Sequence, residues 1–182
     1  MKKILVVTIS VVTISALFAA SVVSAQQQST QMTDAHMQRI QQNCSEAIGS
    51  LQQIHTNDRL VRVNRGQAYD SMSTKLMAPM NSRLALNKLD GSSLVKITAS
   101  YDQELASFRV NYKKYDDQMS SVLQMDCRRQ PVAFYDAVAK ARASRELVHQ
   151  NTLTLNRSII DYEAEFVSSR SKFEQSSTGG SQ

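Results

Sequence analysis

The chain is 182 residues long, 42% hydrophobic and 20% charged, with 5 Gly, 2 Pro and no Trp. One domain's worth of sequence with so little turn-forming material excludes a β-sandwich or a Rossmann unit, because strands need Gly, Pro or Asn-Gly punctuation roughly every ten residues. The interior glycines are only Gly49, Gly66 and Gly91, so an all-α fold is expected.

Met1-Lys2-Lys3 supplies a positive start, and Ile4 to Val23 is an uncharged, mostly apolar run that ends in Val23-Ser24-Ala25. Small residues at those positions predict a signal peptide over residues 1–25, cleaved before Gln26. A run of about 20 residues could instead span a bilayer uncleaved. Membrane contact is expected only in that second case, and otherwise the protein is secreted or held in the cell envelope. Gln26-Gln27-Gln28-Ser29-Thr30 is polar, and residues 26–32 are expected to be a disordered linker. Without Lys2 and Lys3 the 21 basic residues fall to 19 against 16 acidic, a charge of +3. The dibasic pairs Lys113-Lys114 and Arg128-Arg129 are isolated and stand beside Asp116-Asp117 and Asp126. Nucleic-acid binding, which needs a clustered basic stripe, is not expected.

The first helix is expected over about 33–77, capped by Thr33 or Asp34. Met37, Ile40, Cys44, Ala47, Leu51 and Ile54 recur in steps of three and four. That phase then slips, and Tyr69, Met72, Leu76 and Met80 take over. His55-Thr56-Asn57-Asp58 are poor helix formers and predict a kink, and Pro79 predicts a second disturbance.

Leu89-Asp90-Gly91-Ser92-Ser93 is the clearest break, with hydroxyl residues able to cap the next helix. This second helix is expected over 92–127. One seam is Leu94, Tyr101, Phe108, Tyr115 and Val122, and the other is Thr98, Leu105, Tyr112, Met119 and Asp126. Pro131 suits the first turn of a third helix over 131–175, whose seam runs Phe134, Val138, Ala141, Arg145, Val148, Thr152, Leu155, Ile159, Tyr162, Phe166 and Phe173. Residues 176–182 read as a disordered tail. Short connections make neighbours antiparallel, which predicts an elongated up-down-up three-helix bundle with coiled-coil character over 33–175.

Cys44 and Cys127 are the only cysteines, and in an exported chain an even count is expected to pair. Buried free thiols and a bond between two chains are the alternatives. Leu94 to Cys127 spans 33 residues and Met77 back to Cys44 also spans 33, so antiparallel helices bring the cysteines level if the chain reverses within about 78–93. A first helix unbroken to Asn87 would instead leave the ends about 15 Å apart unless the chain bent near His55 or Pro79.

The early cysteine, Tyr69, the Leu89-Asp90-Gly91-Ser92-Ser93-Leu94 turn, Phe108 with Tyr112, Cys127, Phe134 and Ala141-Arg142 together resemble a loose family of uncharacterised secreted helical proteins from small-genome candidate-phylum bacteria. The resemblance covers roughly residues 40 to 165, and Gly91 after Asp90 departs from the family's usual turn. It implies the fold, the disulfide and export, and no mechanism.

No catalytic, cofactor-binding or metal-binding motif stands out, and no cofactor is expected. His36, His55 and His149 lack the close Cys/His spacing of a zinc site and read as exposed helix residues. Asp116-Asp117 and Glu163/Glu165 point to different helix faces. The Asn156-Arg157-Ser158 sequon is expected within a helix and is discounted. Tyr101, Tyr112 and Tyr115 at seam spacing are expected in the core; exposed, they would form an interaction surface with Met72, Met77 and Met80. The leading expectation is a non-enzymatic exported helical protein acting as an envelope or surface interaction module, with a protein partner or self-association. The alternative is an extracytoplasmic holdase for unfolded exported proteins.

Overall fold

A computed structural model describes residues 32–178, and within them the chain is helical and free of strands. The expected signal peptide and most of the linker lie outside the described residues, as do residues 179–182. Five α-helices succeed one another: α1 (Asp34–Gln42), α2 (Cys44–Ser71), α3 (Ala78–Leu86), α4 (Ser92–Leu123) and α5 (Pro131–Thr178), with a π-helical segment, Met72–Met77, joining α2 to α3.

The single first helix expected over 33–77 is thus three pieces, and helix continues beyond it. Thr33 caps α1, its Oγ1 accepting from the His36 N–H at 3.4 Å. Asn43 leaves helical geometry (φ −96, ψ 13), so α2 starts afresh at Cys44. The kink expected at His55 is absent. There the tertiary structure overrides a weak local preference: His55 is buried and its Nε2 lies 2.7 Å from Asp116 Oδ1 on α4.

The irregularity falls instead at Met72–Met77. Tyr69, Ser73 and Met77 are buried, and Asn81 bonds inward to Thr98, so the inward row advances in steps of four. An ordinary α-helix, with its repeat of about 3.6 residues, rotates such a row off the core, whereas the wider π-turn holds it in place. Leu76, expected inside, is therefore 51% exposed. Two buried tyrosines satisfy backbone carbonyls on either side of the widened turn: Tyr101 Oη donates to Tyr69 O (2.9 Å) and Tyr162 Oη to Met77 O (3.3 Å). Pro79 does not end the helix. It falls in the first turn of α3, just past the π-segment, where a missing N–H is tolerated.

The chain reverses at 87–91. Leu89 N–H bonds Leu84 O and Lys88 N–H bonds Ala85 O, a Schellman closure whose left-handed residue is Lys88 (φ 56), not a glycine. Gly91 lies close to Leu84, whose Cδ1 a Cβ there would meet at 3.1 Å and push aside by a few tenths of an ångström. The cap of α4 also differs from expectation: Asp90 Oδ1 accepts from Ser92 N–H, and neither serine caps with its own side chain.

Both α4 seams are buried from Leu94 to Val122 as the heptads predict. The helix stops at Leu123 rather than 127, because Asp126 turns out of the seam to accept the N–H groups of Arg128 and Arg129. Cys127 is thereby placed in a connection, fully buried, with Cα 5.6 Å from that of Cys44 in a disulfide. Around it pack Val122, Phe134 and Ala141. α5 runs to Thr178, three residues past the expected end. Of its seam, Phe134, Ala141, Thr152, Leu155 and Tyr162 are buried, while Arg145 and Phe173 are exposed.

Side-chain bonds fix the register. Gln41, Asp58 and Tyr69 each bond a residue 87 positions later: Arg128, Arg145 and Asn156. The first helical stretch and α5 therefore advance in the same direction, residue for residue. Past the start of the π-segment one hydroxyl, Tyr162 Oη, bonds both Met77 O and Asn81 Oδ1, residues a turn apart, at offsets of 85 and 81. The widened turn packs one more residue than an α-turn into nearly the same rise, which shortens the early helix by about 1.5 Å. α4 runs the other way between them, through His55–Asp116, Ser73–Asp102 (2.5 Å) and Asn81–Thr98 (2.8 Å).

Candidate functional site

α2 and α5 both pack on α4, but over Asp58–Arg65 they meet each other only through long side chains. The result is an open groove of about 710 Å³ whose floor is α4. Phe108, Tyr112 and Tyr115 make that floor, Val61 and Val148 its apolar walls. The floor rings are fixed by edge contacts: Tyr112 and Tyr115 have centroids 6.0 Å apart at 72°, and Tyr69 stands edge-on to Phe108 at 5.8 Å.

One ion pair bridges the groove. Arg145 Nε and Nη2 donate to Asp58 at 2.6 and 3.0 Å, and Tyr115 Oη donates to the same carboxylate at 2.6 Å. Burial alone would raise the Asp58 pKa, but bonds from Arg145 and Tyr115 outweigh it and hold the carboxyl below its ordinary range. Burial, reinforced by Asp58, pushes the Tyr115 hydroxyl up, so it remains a donor. The Arg145 guanidinium is raised by its bond to Asp58.

The rim is cationic. Arg62 lies over the Tyr112 ring at 5.1 Å, Arg65 stands beside the Tyr69 hydroxyl, and Arg142 makes no ion pair among the described residues. The carboxylates lining the groove are Asp58, already paired, and Glu146. Beneath Arg62 the Tyr112 hydroxyl is buried without a hydrogen-bond partner. Burial pushes its pKa up to about 12, so it stays protonated with a proton to donate.

Of the residues expected to form an interaction surface if exposed, Met77, Tyr101, Tyr112 and Tyr115 are buried and Met72 and Met80 half-buried. Heptad spacing puts the three tyrosines in the core, and Tyr112 and Tyr115 reach the groove only as its floor. The arginines that matter were not legible as a group. Arg62, Arg65, Arg142 and Arg145 are far apart in sequence, and their one shared signal, spacing of three within each pair, gains meaning only once the offset of 87 aligns the helices.

His55 corrects a further expectation, being buried against Asp116 and edge-on to Tyr115 at 6.4 Å, not exposed. His149 is exposed on the groove wall. Among the described residues, no group of three His, Cys, Asp or Glu is placed to hold a metal ion, and no helix is long and apolar enough to cross a membrane. A smaller notch of about 490 Å³ lies beside the α3–α4 turn, between Leu84, Leu94, Phe166 and Phe173. The disulfide itself is the mark of an oxidising, extracytoplasmic environment. Comparison with protein-family models, with curated proteins and with solved structures found no match.

Proposed function

We propose that the chain is an exported, non-enzymatic interaction module of the cell envelope or surface, built as an up-down-up three-helix bundle with coiled-coil character. The offset of 87 between α2 and α5, and the opposite direction of α4, support the bundle reading. The observation that carries the functional reading is the groove. Two helices that share a third as support, with a cleft between them above its buried aromatic rings, offer a preformed concave surface of the size ligand sites use. The chain's resemblance to secreted helical proteins points the same way. The holdase alternative draws on Met- and Tyr-bearing concave surfaces; of its residues Tyr112 and Tyr115 line the groove, while Met77 and Tyr101 are buried outside it.

The test is cross-linking in intact cells, capture of the protein, and mass spectrometry of whatever is attached and of the mature chain itself. One dominant partner, or a self-oligomer, is expected. Recovery of the protein alone would refute the module, and a broad smear of unrelated exported proteins would restore the holdase.

A further inference from the structure

We propose that the α2–α5 groove receives an amphipathic α-helix of a protein partner, carrying carboxylates along both edges of its apolar stripe, as the fourth helix of a bundle. The inference rests on the interaction-module reading and names its partner's chemistry.

Shape comes first. α4 supplies an aromatic floor, and α2 and α5 run parallel as its walls, which is the arrangement left when one helix is lifted from a four-helix bundle. Ala139 and Ala143 on the α5 wall keep that side low, so a helix backbone can approach closely.

Charge selects the occupant. The offset of 87 puts Arg142 level with His55 and Arg145 level with Asp58, so Arg142, Arg145, Arg62 and Arg65 stand at successive levels 55, 58, 62 and 65. That is one guanidinium per helical turn over about 15 Å. Arg145 is neutralised by Asp58, whereas Arg62, Arg65 and Arg142 face only Glu146 among the groove's remaining carboxylates. A lone anionic headgroup would answer one of these levels. A helix with Glu or Asp at spacings of three and four answers each in turn, its apolar stripe meeting Val61 and Val148 above the buried rings of Phe108 and Tyr112.

The Tyr112 hydroxyl is the second, independent sign. The Tyr112 residue is 6% exposed and lines the groove, and its hydroxyl oxygen is itself buried, held protonated and without a hydrogen-bond partner. A buried donor left unpaired is costly, and an incoming carboxylate or amide oxygen relieves it.

The experiment uses the oxidised protein and three labelled synthetic helices of about 18 residues, about five turns. All share one Leu stripe and carry Glu, Gln or Lys at the flanking positions. Fluorescence anisotropy should show saturable binding of the Glu helix, at least about tenfold weaker binding of the Gln helix, and none of the Lys helix. Binding should weaken in about 0.5 M salt. Arg62→Glu with Arg142→Glu should abolish it, and Ala143→Trp, which fills the groove without changing charge, should block it; melting curves verify that each variant is folded. Equal binding of the Gln or Lys helix, or Glu-helix binding indifferent to both variants, overturns the proposal. So does a concentration-dependent dimer that Arg62→Glu dissolves and the Glu helix does not compete, which assigns the groove to a second copy. Binding to vesicles of anionic phospholipid that the Glu helix does not displace assigns it to a membrane surface. A captured cellular partner whose cross-links all fall outside the groove defeats this proposal while leaving the module reading intact.

Discussion

Replacing both cysteines, Cys44→Ala with Cys127→Ala, tests how the fold is held at its open end. The bond joins residues separated by 83 positions. Closing a loop of that length removes about 4.5 kcal/mol of unfolded-state conformational freedom on the chain-entropy estimate. A domain of this size loses roughly 2 to 4 °C of melting temperature per kcal/mol, so the variant should melt about 9 to 18 °C lower. Alanine is the right substitute because the pair sits among Val122, Phe134 and Ala141, where a serine hydroxyl would add an unpaired polar group. Two signatures separate cross-linking from simple loss of packing. Without the bond the unfolded chain expands, so the urea m-value should rise. In addition, α1 buries no residue fully, and its side-chain ties to the rest are Gln41 on the Arg128 carbonyl and the half-buried Ile40 beside the disulfide cluster. Its amides should therefore lose exchange protection before those of α4. The readouts are thermal and urea melts followed by circular dichroism, with hydrogen exchange by mass spectrometry. A fall of less than about 2 kcal/mol with an unchanged m-value would refute the reasoning.

Asp58→Ala strands the buried Tyr115 hydroxyl and frees Arg145; with the half-exposed ion pair discounted, urea melts should show a loss of about 2 to 3 kcal/mol. Because the folded Asp58 carboxyl titrates below its ordinary 3.8, its contribution is complete above that pH and disappears as pH falls through the lower folded value. The gap between parent and variant should therefore close in acid, and a gap that widened there would contradict the assignment. Tyr112→Phe removes a hydroxyl that has no partner, so the isolated protein should be unchanged or up to about 1 kcal/mol more stable; a loss above about 1 kcal/mol would show that the hydroxyl is bonded. Deleting Thr74 removes the one residue by which the π-segment exceeds an α-turn, so the segment should close as ordinary helix with Met77 and Asn81 still facing the core, and thermal melts should show a loss below about 2 kcal/mol. A loss above about 4 kcal/mol would mean that the inward row does not depend on the widened turn in this way.

Much of this architecture is written in local sequence. Heptad rows in α4, the Pro131 start of α5, the break near Asp90-Gly91 and the pairing of two cysteines all derive from periodicity, backbone chemistry and an even count, which act over short range or without a partner. The early helix was legible only in part. Its inward row depends on which turns widen, and the π-segment is stabilised from outside, by tyrosines of α4 and α5 that reach its carbonyls. His55 likewise holds the helix straight through a carboxylate 61 residues away. The groove was not legible at all. No stretch of the chain contains it, for it exists because α2 and α5 run parallel at a fixed offset and leave a cleft between them above α4. The helices and the turn at Asp90-Gly91 could be read from the chain because they depend on near neighbours, and the staple because two cysteines leave one pairing within the chain. Register, the straightness of α2 and the meeting of four arginines over one aromatic floor could not, because they depend on side chains that converge from distant segments.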